Sequence, residues 1–203
     1  MRLIKLYTAC ICLSLGMSSC ADFLEEENRS NINAQEYFVE KDGFESLVNA
    51  AYASLRTVWK NEPWLFCLGV DIYTRGESEL ISGSYGNRDV YSRELNEYGS
   101  LKADNEFVGN FYSNVYYAIQ TCNTAISKSE SVVGLSENVR KQRVAELRFL
   151  RAYYYYLLVE QFGRIAIVTD EIETPMLSFT QKSEQEVNKF ILDELDTIDD
   201  NIL

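Results

Sequence analysis

The stretch Val139–Gly163, with the sequence VRKQRVAELRFLRAYYYYLLVEQFG, decides the fold. Its apolar side chains recur at spacings of three and four residues, which place them on one helical face: Val144, Leu147, Leu150, Tyr154 and Leu158. From Ala152 to Val159 no residue is charged, and a helix that is apolar nearly all round needs packing partners on more than one side. Gly163 suits the left-handed residue that ends a helix. We therefore predict a central helix within an α-helical layer.

The four consecutive tyrosines Tyr153–Tyr156 cover about a full helical turn, so they cannot all face one ligand. We interpret them as core residues, with one or two of their hydroxyls bonded to neighbouring helices. Arg148 and Arg151 lie three residues apart on the same helix, within reach of Glu146 or of acids on another helix. We expect both arginines to be structural.

Further amphipathic helices flank the central one. The stretch Phe111–Ile126, FYSNVYYAIQTCNTAI, has a helical stripe, and a short polar connection joins it to the central helix. Such a pair has the length of a tetratricopeptide unit. An earlier helix ends at Trp59, which we place in the core, and a later one begins at Ser183 with Glu186 completing a capping box.

The same strings resemble a known family. AELRFLRAYYYYLLVEQFG, at Ala145–Gly163, is similar to the central helix of the SusD/RagB-like outer-membrane nutrient-binding lipoproteins, and Phe111–Ile126 with its Asn123 resembles a second helix of that family. The resemblance implies a mostly α fold of tetratricopeptide-like helical repeats with a loop-rich insertion. Family members continue for several hundred residues past the helix that Ile191–Leu203 resembles, so we expect a truncated SusD-like fold, the N-terminal portion.

The first twenty residues look like a lipoprotein signal. Arg2 and Lys5 precede an apolar run too short to span a bilayer, and small residues lead to Cys20. We predict a signal peptide at residues 1–19, a lipidated acidic tether at 20–33 and a helical domain at 34–203. The alternative is an ordinary secretory signal with an incidental cysteine.

Composition excludes several function classes. The formal net charge is −12, and an acidic chain does not suit a phosphate backbone, so we expect no nucleic-acid partner. The chain has no histidine and no Cys-x-x-Cys spacing, which argues against a transition-metal site. Apart from the cysteines in the signal and Cys20, the chain has Cys67 and Cys122, which form either one disulfide or two separate thiols.

We predict that residues 60–101 are rich in loops, because glycines and Pro63 interrupt any helical or strand periodicity. Binding residues concentrate on loops held by a rigid scaffold. Aromatic rings stack on the apolar faces of sugars, and amides or guanidinium groups bond their hydroxyls. The candidate ligand-binding residues are Trp64, Tyr73, Tyr85, Asn87 and Arg88. The alternative is that the rings fill space between loops and core.

A glycosidase would need two carboxylates across the scissile bond, and Asp71, Glu77 and Glu79 lie in the same segment. Acidic residues are plentiful here, and no motif fixes their geometry. The chain also has no G-x-S-x-G string and no phosphate loop. We therefore expect a protein without catalytic activity and without a cofactor.

The resemblance also implies a function. SusD-like proteins are lipid-anchored in the outer membrane, face the exterior, bind oligosaccharide or polysaccharide and deliver it to a SusC-like TonB-dependent outer-membrane barrel. Two alternatives remain open: peptide uptake, as for RagB-like members, or a protein-interaction scaffold without ligand binding.

Overall fold

The computed structural model describes residues 34–59, 64–73, 86–172, 174–175 and 178–198; the side chains of residues 34, 35, 64 and 86–89 lie outside the description. The chain divides into two units, Met1–Glu36 and Tyr37–Leu203, and all packing described below lies in the second. Helices dominate: α1 Ala34–Tyr37, α2 Lys41–Val58, α3 Trp64–Cys67, α4 Gly86–Glu97, α5 Glu106–Ser129, α6 Glu137–Phe162 and α7 Glu184–Asp196. The mostly α prediction is confirmed.

Two short strands, β1 Ile165–Ala166 and β2 Gln181–Lys182, pair antiparallel, with Ile165 opposite Lys182. Within the described ranges, no helix has the length and apolar character needed to cross a membrane.

The long helices α2, α5 and α6 form the tetratricopeptide-like arrangement. Residue numbers increase in the same direction along both helices where α2 and α6 meet: Glu45 pairs with Arg143, and Trp59 bonds to Tyr153. These two helices therefore run parallel. Helix α5 runs the other way, because Phe111 near its start lies 6.2 Å, between ring centroids, from Phe162 at the end of α6. The fully buried core includes Phe44, Val48, Val115, Ile119, Cys122, Leu147, Tyr154 and Leu158.

The ends of α6 follow from local chemistry. The Ser136 hydroxyl accepts the Val139 N–H at 3.4 Å, so the helix begins at Glu137, two residues before the quoted stretch. At the other end Gly163 has φ +66° and donates its N–H to the Val159 carbonyl at 2.9 Å. A residue with a side chain is strained at that φ, which is why a glycine ends this helix.

The predicted capping box of the last helix is present. The Glu186 N–H donates to the Ser183 hydroxyl at 3.3 Å, and the Ser183 N–H donates to Glu186 Oε2 at 2.8 Å. These bonds to the charged form hold the pKa of the Glu186 carboxyl below its usual value. The start of α7 is therefore specified by two residues.

The core interpretation of the tyrosines is confirmed for Tyr154 and Tyr155 and is wrong for Tyr156. Tyr154 and Tyr155 are fully buried, whereas Tyr156 is exposed. The Tyr154 hydroxyl donates to the Ala51 carbonyl at 2.8 Å, and the Tyr155 hydroxyl donates to the Val168 carbonyl at 2.8 Å while accepting the Val168 N–H at 2.7 Å. These buried rings thus connect α6 to α2 and to the segment after β1.

The segment 60–101 is helical in part, since α3 and α4 lie within it. Helix α4 buries Ser92, Glu94 and Leu95, and two of these are polar, so no apolar stripe marks it in the sequence. The expectation for Trp59 is wrong: it is 40% exposed rather than in the core, because it follows the last turn of α2, where its ring packs beside Phe66 at the edge of the helical layer.

A buried ion pair joins α6 to α7. The guanidinium of Arg151 contacts Glu194 Oε2 through Nε at 2.8 Å and Nη2 at 2.7 Å, and both residues are buried. Its Nη1 donates to Asn123 Oδ1 on α5 at 2.9 Å and to the Thr169 carbonyl at 3.3 Å. Asn123 in turn donates to the Val168 carbonyl at 2.8 Å. Arg151 is structural, as predicted, and its acid lies on another helix.

Substituting Glu194→Ala should strongly destabilise the protein, by about 3 to 5 kcal/mol, because Arg151 would keep a buried charge without its anion. The matched control is Asp193→Ala, which removes an exposed pair with Lys189 on the same helix. We expect that control to cost less than about 1 kcal/mol. Urea unfolding measures both; equal effects would contradict the structural role of the buried pair.

Cys67 and Cys122 are both free thiols. Burial raises the pKa of the Cys122 thiol to about 12, whereas Cys67 is half-buried. Because the thiolate is the nucleophile, we expect iodoacetamide at pH 8 to modify Cys67 well before Cys122 in the folded protein. Peptide mass spectrometry would locate the label. Denaturation in urea should abolish the difference; equal labelling without urea would show that the core around Cys122 is open.

Candidate ligand-binding surface

The structure places the five predicted ligand residues unequally. Trp64 is the first residue of α3, and Tyr73 follows nine residues later in the same described segment. Asn87 and Arg88 lie in the first turn of α4, on a helix rather than on a loop. The side chains of Trp64, Asn87 and Arg88 are outside the described residues, as is all of Tyr85. Of the five, Tyr73 has a side chain within the described residues.

The segment that carries Tyr73 is anchored to the helical core through Phe66. Its ring lies 4.8 Å from the Trp59 ring and 5.3 Å from the Phe111 ring, measured between centroids. Leu68, two residues later, is buried. Helix α3 is only one turn long, so its position depends on these contacts rather than on helix propensity.

The chain then turns sharply outward. Gly69 has φ +74°, and a side chain built there would collide with the Tyr98 ring. Val70 and Tyr73 pair as an antiparallel bridge, which closes the turn. We call residues Val70–Tyr73 the exposed turn. Phe66 on one side and Tyr98 on the other fix the residues that precede the exposed turn, so the position of the turn is fixed as well.

The exposed turn offers apolar and polar groups side by side. Ile72 is 84% exposed and Tyr73 is 60% exposed, and Asp71 between Val70 and Ile72 also faces solvent. A tyrosine ring gives a flat apolar face with a hydroxyl, and a carboxylate accepts hydrogen bonds from hydroxyl groups. The arrangement suits a ligand that combines apolar C–H faces with hydroxyls.

The predicted acids do not assemble a hydrolytic site within the described residues. Asp71 is the carboxylate of segment 64–73, while Glu77 and Glu79 lie outside the described ranges. Glycoside hydrolysis needs a second carboxylate opposite the first. In the part of the chain that the structure covers, no group of three or more metal-binding side chains occurs. The predicted lipid-bearing Cys20 is outside that part as well.

A cavity of about 390 Å³ lies elsewhere, beside the end of α5. Its lining is polar for the most part and contains no aromatic ring: Asn123, Ile126, Ser127, Thr169, Asp170 and Glu171. The Asn123 amide there is already bonded to the carbonyls of Val168 and Asp170. Glu171 is paired with Lys128 at 2.9 Å. These groups serve the packing of the segment after β1, and none of the predicted ligand residues is among them.

Sequence reasoning missed a second exposed aromatic surface, which lies between the parallel helices α2 and α6. We call it the α2/α6 face; its exposed rings are Tyr52, Trp59, Phe149 and Tyr156. Tyr52 donates to Glu146 at 3.2 Å, and the Trp59 indole donates to the Tyr153 hydroxyl at 3.2 Å. Tyr52 and Trp59 are seven residues apart, two helical turns, and that spacing was the available signal.

Comparison with known proteins agrees with this fold. Residues 22–194 match the profile of a SusD-like family described as "Starch-binding associating with outer membrane". The SusD-like protein P2 of Formosa agariphila is 32% identical over 181 residues, which cover 86% of this chain and 34% of that protein. A surface glycan-binding protein A from Bacteroides fluxus superposes with a TM-score of 0.59 and 26% identity, covering 77% of this chain and 32% of the other.

A SusD homologue from Bacteroides thetaiotaomicron superposes with a TM-score of 0.63 at 18% identity, covering 83% of this chain and 31% of that one, and supports the fold. The chain spans about a third of the length of the curated relatives that it matches. The family profile covers most of the chain, including the string Ala145–Gly163 that carries the resemblance. The chain belongs to the SusD-like family of outer-membrane-associated binding proteins.

Proposed function

We propose that this protein binds glycan at the cell surface and passes it to a SusC-like TonB-dependent barrel. The observation that carries the binding step is the exposed turn, where Tyr73 presents an open ring beside the Asp71 carboxylate on an anchored base. A pyranose has an apolar C–H face for the ring and hydroxyls for the carboxylate. Trp64, Tyr85, Asn87 and Arg88 are proposed to extend this surface.

A glycan is favoured over a peptide by the family description and by the surface chemistry. The family profile is described as starch-binding, and the Bacteroides fluxus protein, 26% identical, is a surface glycan-binding protein. A peptide in an extended conformation can bind by adding a strand at a sheet edge. The exposed turn presents side chains instead, which fits stacking better than strand pairing.

The proposed location follows from the N-terminal signal and the family. Acyl chains on Cys20 would hold the protein on the outer leaflet, because several buried methylenes together give stable attachment. The acidic residues Glu25–Glu27 would lie just after the anchor, on the exterior. The protein is proposed to bind without catalysis and without a cofactor.

The barrel is proposed to contact the helical layer rather than the exposed turn. The α2/α6 face supports this, since four exposed rings lie along two parallel helices. Aromatic residues are enriched at protein interfaces, and their presence on an open helical surface is a mark of a partner. Ligand capture and partner binding would then use separate surfaces.

Substituting Tyr73→Ala should weaken glycan binding by roughly 3- to 10-fold, on the order of 1 kcal/mol, because the stacking ring is lost. Affinity electrophoresis in gels containing amylopectin, with laminarin, dextran and xylan in parallel gels, measures the retardation. The matched control is Tyr117→Ala, which removes a 71% exposed tyrosine from α5. Equal retardation of Tyr73→Ala and the native protein would contradict the proposed site.

Gentle extraction of tagged native protein from outer membranes should co-purify a large TonB-dependent barrel. Mass spectrometry identifies the barrel and should also find an N-terminal peptide that begins at acylated Cys20. The variant Trp64→Ala should retain the barrel but capture less glycan, because the two surfaces are separate. Loss of both together would indicate misfolding, and the absence of any barrel from the native extract would overturn the transport role.

A further inference from the structure

Tyr98 has a backbone conformation that a tyrosine rarely adopts. Its φ is +52°, and it is the one non-glycine residue with a positive φ among the described residues. A residue with a Cβ pays a steric penalty in this region, whereas glycine adopts it freely. Such outliers persist when the surroundings enforce them, and they cluster at ligand-binding positions. The question is what this strained tyrosine supplies that a glycine would not.

The surroundings hold Tyr98 from both sides. Its N–H donates to the Glu94 carbonyl at 3.0 Å, which continues α4, and its carbonyl accepts the Leu101 N–H at 3.2 Å. The Asn105 amide donates to the Tyr91 carbonyl and to Glu94 Oε2, both at 3.0 Å. Since Asn105 also caps α5, the end of α4 is tied to the helical core. Tyr98 therefore projects from a fixed position.

The ring of Tyr98 lies directly on the backbone of Gly69, where any Cβ would collide with it. Its hydroxyl donates to the Leu68 carbonyl at 3.3 Å. Gly69 immediately precedes the exposed turn Val70–Tyr73. The hydroxyl end of the Tyr98 ring thus contacts the base of the turn that carries Tyr73.

The rest of the ring is open. Tyr98 is 55% exposed, close to the exposure of Tyr73, so burial of apolar surface does not account for keeping a strained tyrosine here. Two largely exposed tyrosines, Tyr73 and Tyr98, therefore flank one turn.

We propose that Tyr98 is a second glycan-contacting residue, whose open face works with Tyr73 as one stacking surface across the exposed turn. This inference rests on the proposed glycan-binding function. A sugar unit on Tyr73 and a neighbouring unit on Tyr98 would make the surface selective for oligosaccharide over monosaccharide. The strained positive φ of Tyr98 then follows from placing its ring where the ligand binds.

The test separates binding from stability. The variant Tyr98→Leu keeps an apolar side chain against Gly69 but removes the flat ring, and it should bind as weakly as Tyr98→Gly. The variant Tyr98→Gly relieves the strained backbone but also loses the ring contact with Gly69 and the bond to Leu68, so its urea midpoint should stay close to that of the native protein. Its retardation should fall at least threefold, in the gel of whichever polysaccharide retards the native protein most: amylopectin, laminarin, dextran or xylan. The variant Tyr98→Phe keeps the ring and should bind within about twofold of native.

Each outcome discriminates. Native-like retardation of Tyr98→Gly, with Tyr73→Ala weakened, would overturn this inference and leave the proposed function standing. No retardation of the native protein in any gel would instead remove the proposed function itself. A lower midpoint with unchanged binding would make Tyr98 a purely structural clamp. Should Tyr98→Gly fail to fold, Tyr98→Asn, which also tolerates the left-handed region, takes its place with the same two measurements.

Discussion

The fold depends on one buried ion pair, Arg151 with Glu194. Burying either charge alone would cost several kcal/mol, so each helix can reach its native position only if the other arrives with it. The guanidinium has more N–H donors than the carboxylate uses, and Nη1 donates to Asn123 of α5 and to the Thr169 carbonyl. A single side chain therefore sets the relation of three helices and of the segment that follows β1.

Much of the helical layer is predictable from sequence, because its apolar residues recur at helical spacings. The stripes of α5 and α6, the buried pair Tyr154 and Tyr155, and the capping box of Ser183 with Glu186 all appear as expected. These features are local or periodic, and local chemistry decides them. The resemblance carried by Ala145–Gly163 then supplies the family.

The other elements are not predictable from sequence, because polar residues make their buried contacts. Helix α4 buries Ser92 and Glu94, and Glu194 is an acid inside the core, so neither shows an apolar signature. Partners from distant segments decide such burial: Asn105 satisfies Glu94, and Arg151 satisfies Glu194. The candidate site is harder still to predict, since the placement of Tyr73 depends on a clamp between Gly69 and a tyrosine 29 residues later.

The bonds to the segment after β1 have an evolutionary consequence. Asn123, Arg151 and Tyr155 hold residues 168–170 almost entirely through main-chain carbonyls, and Tyr116 does the same for Ala166 at 2.8 Å. A carbonyl is the same in every amino acid, so the path of this segment is indifferent to which side chains it carries. Homologous chains can therefore diversify the outward chemistry of this strip by point substitution without re-engineering the helices beneath it.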